Sequence, residues 1–152
     1  MSEQMLTVDT QLRIAKPPQA VFEVIVNPEQ MSCYFISWGS GRLDAGKPVV
    51  WKWDDVGAQV TVTPQKMEID RSVSFLWSAS GAEARVVIQL ERDGADATIV
   101  KVFESGWPPD AQGTARCMQQ MQGWMHMLCC MKAYLEYGIN LRSGGVVKQS
   151  AG

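Results

Sequence analysis

A change of hydrophobic period at Gly106-Trp107-Pro108-Pro109-Asp110 constrains this chain more than any other feature. Before it, apolar residues recur at every second position; after it, they recur at about every 3.6. Between residues 34 and 104, short alternating runs are separated by Asp44-Ala45-Gly46, Asp54-Asp55-Val56-Gly57, Ile69-Asp70-Arg71, Ser80-Gly81 and Arg92-Asp93-Gly94. Asp and Gly accept the dihedrals of tight turns, so these are strand breaks. The intervals leave no room for crossover helices, and the strands are therefore expected to pair as an antiparallel meander. Beyond the break, Cys117, Met121, Trp124, Leu128, Met131 and Leu135 recur at steps of four and three. This spacing predicts one helix from Ala111 to Tyr137 with those six residues on its buried stripe. Gly138 is placed as its stop. Gly123 inside it is expected to allow close approach to the sheet.

The N-terminal stretch precedes the meander with a simpler pattern. Leu6, Val8, Leu12 and Ile14 fall on one side of an alternating segment, which reads as a half-buried strand. Pro17 and Pro18 end it and suit the first turn of a short helix through Ala20-Val21-Phe22-Glu23-Val24-Ile25. Asn27, followed by Pro28, reads as the cap of a second short helix.

Within the meander, Val49, Trp51 and Trp53 share one face of a strand, as do Val73, Phe75 and Trp77 of another, and Ala84, Val86, Ile88 and Leu90 of a third. One sheet face is thus bulky and aromatic, although a two-residue period separates faces without naming the inner one. The fold expected is α+β: a curved antiparallel sheet around a long C-terminal helix, with two short helices after the first strand. Residues 1–141 form one domain in this reading, and the Gly- and Ser-containing residues 142–152 form a flexible tail.

Charge narrows the partners. With 14 basic and 16 acidic side chains, the chain has a formal net charge of -2 and lacks the positive field that phosphate backbones select, so no nucleic-acid partner is expected. No apolar run approaches the roughly 20 residues of a membrane span, which argues against membrane insertion. Met1-Ser2-Glu3-Gln4 lacks the basic start of a secretory signal, and the expected location is the cytoplasm. Cys33, Cys117, Cys129 and Cys130 are accordingly read as reduced.

The residues that could carry chemistry are few. His126 with Cys129 or Cys130 and the distant Cys33 offers zinc-compatible ligand types, but no metal-site spacing converges. A Cys nucleophile activated by His126 has neither oxyanion donors nor a third orienting group. Asp54, Arg85 and Glu104 near strand ends could orient a ligand, yet solvent-facing positions are expected for them, because an unpaired buried charge is costly. Neither a metal nor a cofactor is expected.

The order of elements resembles the START-like (SRPBCC, polyketide cyclase and lipid-transport) superfamily, in particular the branch similar to the C-terminal domain of the heat-shock chaperone ATPase activator. The resemblance rests on Ile14-Ala15-Lys16-Pro17-Pro18-Gln19-Ala20-Val21-Phe22, Asn27-Pro28-Glu29-Gln30-Met31, Tyr34-Phe35, Gly46, Phe103-Glu104-Ser105-Gly106-Trp107 and Gly123-Trp124 with Leu128, Lys132, Leu135 and Glu136. It departs at Cys33-Tyr34-Phe35, where the branch often carries a second Trp, and at Asp44-Ala45-Gly46, where it often has paired glycines. The resemblance implies a pocket between sheet and helix, walled by Trp51, Trp53, Phe75, Trp77, Phe103, Met121, Trp124 and Met125. An apolar or aromatic small molecule is the expected occupant. The absence of a nameable acid–base pair favours a binding module over a cyclase- or dehydratase-like enzyme. A chaperone partner is the alternative implied by the branch, and Met118 and Cys129 beside the helix stripe leave room for a homodimer.

Overall fold

A computed structural model describes residues 4–147. Strand β1 (Leu6–Ile14) leads into helices α1 (Pro18–Val26) and α2 (Pro28–Met31). Strands β2 (Trp38–Gly39), β3 (Val49–Trp53), β4 (Ala58–Glu68), β5 (Ser72–Trp77), β6 (Ala84–Arg92) and β7 (Thr98–Trp107) follow, and helix α3 (Ala111–Tyr137) comes after them. The sheet order is β1-β7-β6-β5-β4-β3-β2, with every neighbouring pair antiparallel. The meander therefore runs as the turn spacing predicts, and β1 closes beside its last strand. The fold is a curved, open antiparallel sheet with α3 on one face. Among the described residues, no helix is long and apolar enough to cross a membrane.

Two irregularities shape the sheet. In β4 the register against β5 slips between Pro64 and Met67, and Ser74 Oγ fills the gap by accepting from Lys66 N at 3.0 Å and donating to Lys66 O at 3.2 Å. At the end of β7, Trp107 pairs with Leu6 while Ser105 pairs with Thr7, so Gly106 is an extra residue. Its φ is +142°, and a Cβ there would lie 2.8 Å from Glu83 O. The extra residue resets the alternation: Glu104 and Trp107 both point inward, three positions apart, and both are fully buried.

The short helices begin as expected. Asn27 Oδ1 accepts from Glu29 N at 3.0 Å, and Pro28 occupies the first position of α2. Tyr34 is buried, donates to Val24 O at 2.7 Å and stacks on Tyr134 of α3 with centroids 6.0 Å apart. Lys132 Nζ donates to Arg13 O at 2.9 Å, and Ala15 N donates to Glu136 Oε2 at 2.9 Å. The C-terminal half of α3 is thereby fastened to the end of β1 and to the short helices.

Helix α3 has the predicted bounds. Asp110 caps it by accepting from Gly113 N at 2.7 Å, and Gly138 ends it at φ +68°. The stripe is rotated from expectation. Trp124, Met127, Leu128, Cys130 and Met131 are buried, whereas Met121 is 41% exposed. At about 100° per residue, Met121 and Gln120 lie about 60° and 40° to either side of Trp124. Three- and four-residue spacing admits both, and the helix turns Gln120 toward the sheet because a buried carboxylate there requires a donor. Gly123 also differs from expectation: a Cβ would meet nothing within 4 Å, so it faces open space instead of the sheet.

Candidate functional site

That open space is a groove of about 980 Å³ between one flank of α3, the β3–β4 turn and the adjoining ends of β4 and β5. Its aromatic lining is Phe35, Trp53, Trp77 and Trp124; Gln120, Gly123 and His126 line the helix side. Ring centroids lie 5.3 Å apart for Phe35–Trp53, 6.0 Å for Phe35–Trp124, 6.1 Å for Trp53–Trp77 and 5.4 Å for Trp77–Trp124. Four rings at contact spacing present a continuous apolar wall. The alternation of β3 and β5 puts Trp53 and Trp77 on the helix-facing side, and α1 and α2 carry Phe35 to the same place.

Of the eight sequence-predicted wall residues, Trp53, Trp77 and Trp124 line the groove. Trp51 and Phe75 stand one layer behind, packed edge-on against Trp77 at 6.0 Å and 5.4 Å. Phe103, Met121 and Met125 lie elsewhere. Phe103 is half-buried on the opposite sheet face from Val102 and Glu104, as its parity requires. Met121 and Met125 project from the flank of α3 turned away from Gly123, about 60° and 100° around the helix from Trp124. Asp54 and Arg85 are exposed as expected.

Glu104 reverses its expected solvent-facing position. It is fully buried beneath the groove wall. Its Oε2 accepts from Trp77 Nε1 at 2.7 Å; its Oε1 accepts from Trp124 Nε1 at 2.7 Å and from Gln120 Nε2 at 3.0 Å. All three donors are neutral, and among the described residues no Lys or Arg forms an ion pair with Glu104. Loss of water pushes its pKa above the usual carboxylate range, and the three N–H bonds only partly oppose that. The cluster locks two of the groove's indoles in place through one buried acid.

A second polar group rims the groove. Arg142, assigned by the sequence to the tail, donates to Asp55 Oδ2 at 2.8 Å and holds its guanidinium 5.9 Å from the centre of the Phe35 ring. Val146 and Val147 continue along the same rim. Residues 148–152 of the expected tail lie outside the described residues. Of the two neighbouring cysteines, His126 Nε2 approaches Cys130 Sγ, at 3.4 Å and one turn away. Among the described residues, no group of three or more His, Cys, Asp or Glu side chains converges.

With this geometry in view, residues 15–136 match the family described as activator of Hsp90 ATPase homolog 1-like protein. The chain belongs to that family. The family match spans α1 through almost all of α3, and so includes the aromatic wall, Glu104 and Gln120. Among solved structures, the chain is similar to protein SSP2350 from Staphylococcus saprophyticus, with 28% identity, TM-score 0.78, and coverage of 90% of this chain and 96% of that one. It has the same fold as Aha1 from Colwellia psychrerythraea, solved as a dimer, at 19% identity and TM-score 0.71, covering 88% of this chain and 98% of the other. It also shares the fold of DynU16, a putative protein in the dynemicin biosynthetic locus, at 24% identity and TM-score 0.75. There the match covers 88% of this chain and 48% of DynU16, so this chain spans about half of that protein. No curated protein matches.

Proposed function

We propose that this family member binds an apolar or aromatic small molecule in the groove between α3 and the β3–β5 edge of the sheet. The observation that carries the reading is the four-ring wall of Phe35, Trp53, Trp77 and Trp124 beside Gly123, where the helix presents no side chain. A flat ligand would bury apolar area against those faces at about 25 cal/mol per Å², and the fixed indoles would lose little further freedom on binding. Native mass spectrometry of the purified protein, with extraction and identification of bound small molecules, tests the proposal. A recurrent apolar adduct is expected; repeated recovery of empty protein that also takes up no apolar probe would defeat it.

Family membership favours a second reading, association with a heat-shock chaperone. Under that reading the protein changes the chaperone's ATPase rate and is captured by it. Failure of both measurements leaves the small-molecule reading standing alone.

A further inference from the structure

We infer that the groove selects ligands bearing an ammonium group, with Glu104 as the carboxylate that receives it. The inference rests on the proposed groove site and adds the ligand's charge. Three observations converge. First, all three N–H groups bonded to Glu104 belong to groove-lining residues: Trp77, Trp124 and Gln120. The carboxylate thus lies one side-chain layer below the groove surface.

Second, its partners are unequal. Trp77 and Trp124 are buried, and their indoles are wedged among other rings. Gln120 is only part-buried, on a helix face open to the groove. A Gln side chain that swings outward regains water for its amide and uncovers Oε1, which keeps one indole bond and gains a free lone pair. An ammonium entering there supplies a counter-charge that none of the described residues provides, and an ion pair replaces a bond from a neutral donor.

Third, the aromatic wall already seats a cation. The Arg142 guanidinium lies 5.9 Å from the Phe35 centroid, held by Asp55 at the rim. Ring faces attract cations through their quadrupoles, more strongly where water is excluded. Trp53, Trp77 and Trp124 continue that aromatic lining from Phe35, and the Trp77 and Trp124 indole N–H groups reach Glu104. An aromatic or long-chain amine matches both parts: its apolar body covers the rings and its nitrogen reaches the buried acid. A carboxylate-bearing analogue would set like charges together.

Three near-isosteric probes separate the possibilities: 2-(2-naphthyl)ethylamine, 2-(2-naphthyl)ethanol and 3-(2-naphthyl)propionate. Each is titrated into the full chain while the ¹⁵N indole resonances are followed. The amine is expected to bind about tenfold more tightly than the alcohol, roughly 1.4 kcal/mol, and the propionate most weakly, with the largest shifts at the Trp77 and Trp124 indoles. Glu104→Gln is expected to erase the preference for the amine while keeping alcohol binding. Gln120→Ala leaves both indole bonds intact, covers the case in which Glu104→Gln does not fold, and is expected to raise amine affinity severalfold with little change for the alcohol. Asp55→Asn is expected to keep the preference, which assigns it to Glu104 instead of the rim. Equal binding of amine and alcohol, or a preference that survives Glu104→Gln, overturns this inference and leaves the groove reading intact. Binding of none of the three overturns both.

Discussion

Glu104 is the residue on which site and stability meet. Replacing it with Leu leaves the buried Trp77 and Trp124 N–H groups without acceptors, at about 1–3 kcal/mol each, whereas Gln120 can turn to water. Chemical denaturation of Glu104→Leu should therefore show a loss of about 2–6 kcal/mol; a loss below about 1 kcal/mol would mean that the carboxylate is not what holds the indoles. Its pH response has a definite sign. Burial raises the folded-state pKa above the ordinary 4.5. The neutral acid's contribution is thus complete below the unfolded pKa and is lost as pH rises through the raised folded value. Measured from about pH 4 to about pH 8, the stability gap between wild type and Glu104→Gln should move against the wild type as pH climbs. A gap independent of pH would contradict the burial. The position was partly legible in the sequence: Val100, Val102 and Glu104 share parity, so an inward-facing side is the plain reading of the strand. The cost of buried charge argues the other way, and it is met by three N–H donors, all from residues far away in the chain. In the sequence Gly106 reads only as part of the break between the two hydrophobic periods. Its φ of +142° and the 2.8 Å approach to Glu83 O predict that Gly106→Ala loses at least the roughly 1–3 kcal/mol of backbone strain, readable as a lowered melting temperature.

At the scale of elements, α3 shows why hydrophobic spacing fixes a helix more securely than its orientation. The bounds, the Asp110 start and the Gly138 stop all follow from local chemistry. The rotation depends on what the sheet presents, and a polar demand beneath the stripe brings in Gln120 where Met121 has the better hydropathy. The resemblance alone places Met121, Met125 and Phe103 in the pocket wall; the methionines lie on the flank of α3 turned away from Gly123 and Phe103 on the other sheet face, and a two-residue period carries no inward sign until a second layer is in place. Phe35 enters the site from the short-helix segment, which no periodicity links to the sheet. The cap supports a direct test. Asp110→Ala removes the acceptor for Gly113 N and should cost about 0.5–2 kcal/mol by denaturation; no change would show that the first turn is held by its other contacts. Gly123 gives the opposite sign. Gly123→Ala adds a Cβ into open space on a helix and should stabilise the protein by up to about 1 kcal/mol.

For the whole molecule, the sheet order and the long helix follow from turn spacing and the change of period, and family membership agrees with them. The groove is a property of the assembled layers. α3 is fastened at its C-terminal half by Lys132, Tyr134 and Glu136, while farther toward its N-terminus one flank stands clear of the β3–β5 edge. The central claim, that this space receives an apolar ligand, is tested most directly by filling it from the helix side without disturbing the core. Gly123→Leu places a side chain in the groove where nothing lies within 4 Å of a Cβ. Wild type and variant are titrated with the neutral probe N-phenyl-1-naphthylamine, and energy transfer from the tryptophans reports its proximity to the wall. Saturable binding to the wild type is expected, weakened about tenfold or more in Gly123→Leu, with the variant as stable as the wild type. Undiminished binding by a folded Gly123→Leu protein, or no binding by the wild type, would contradict it.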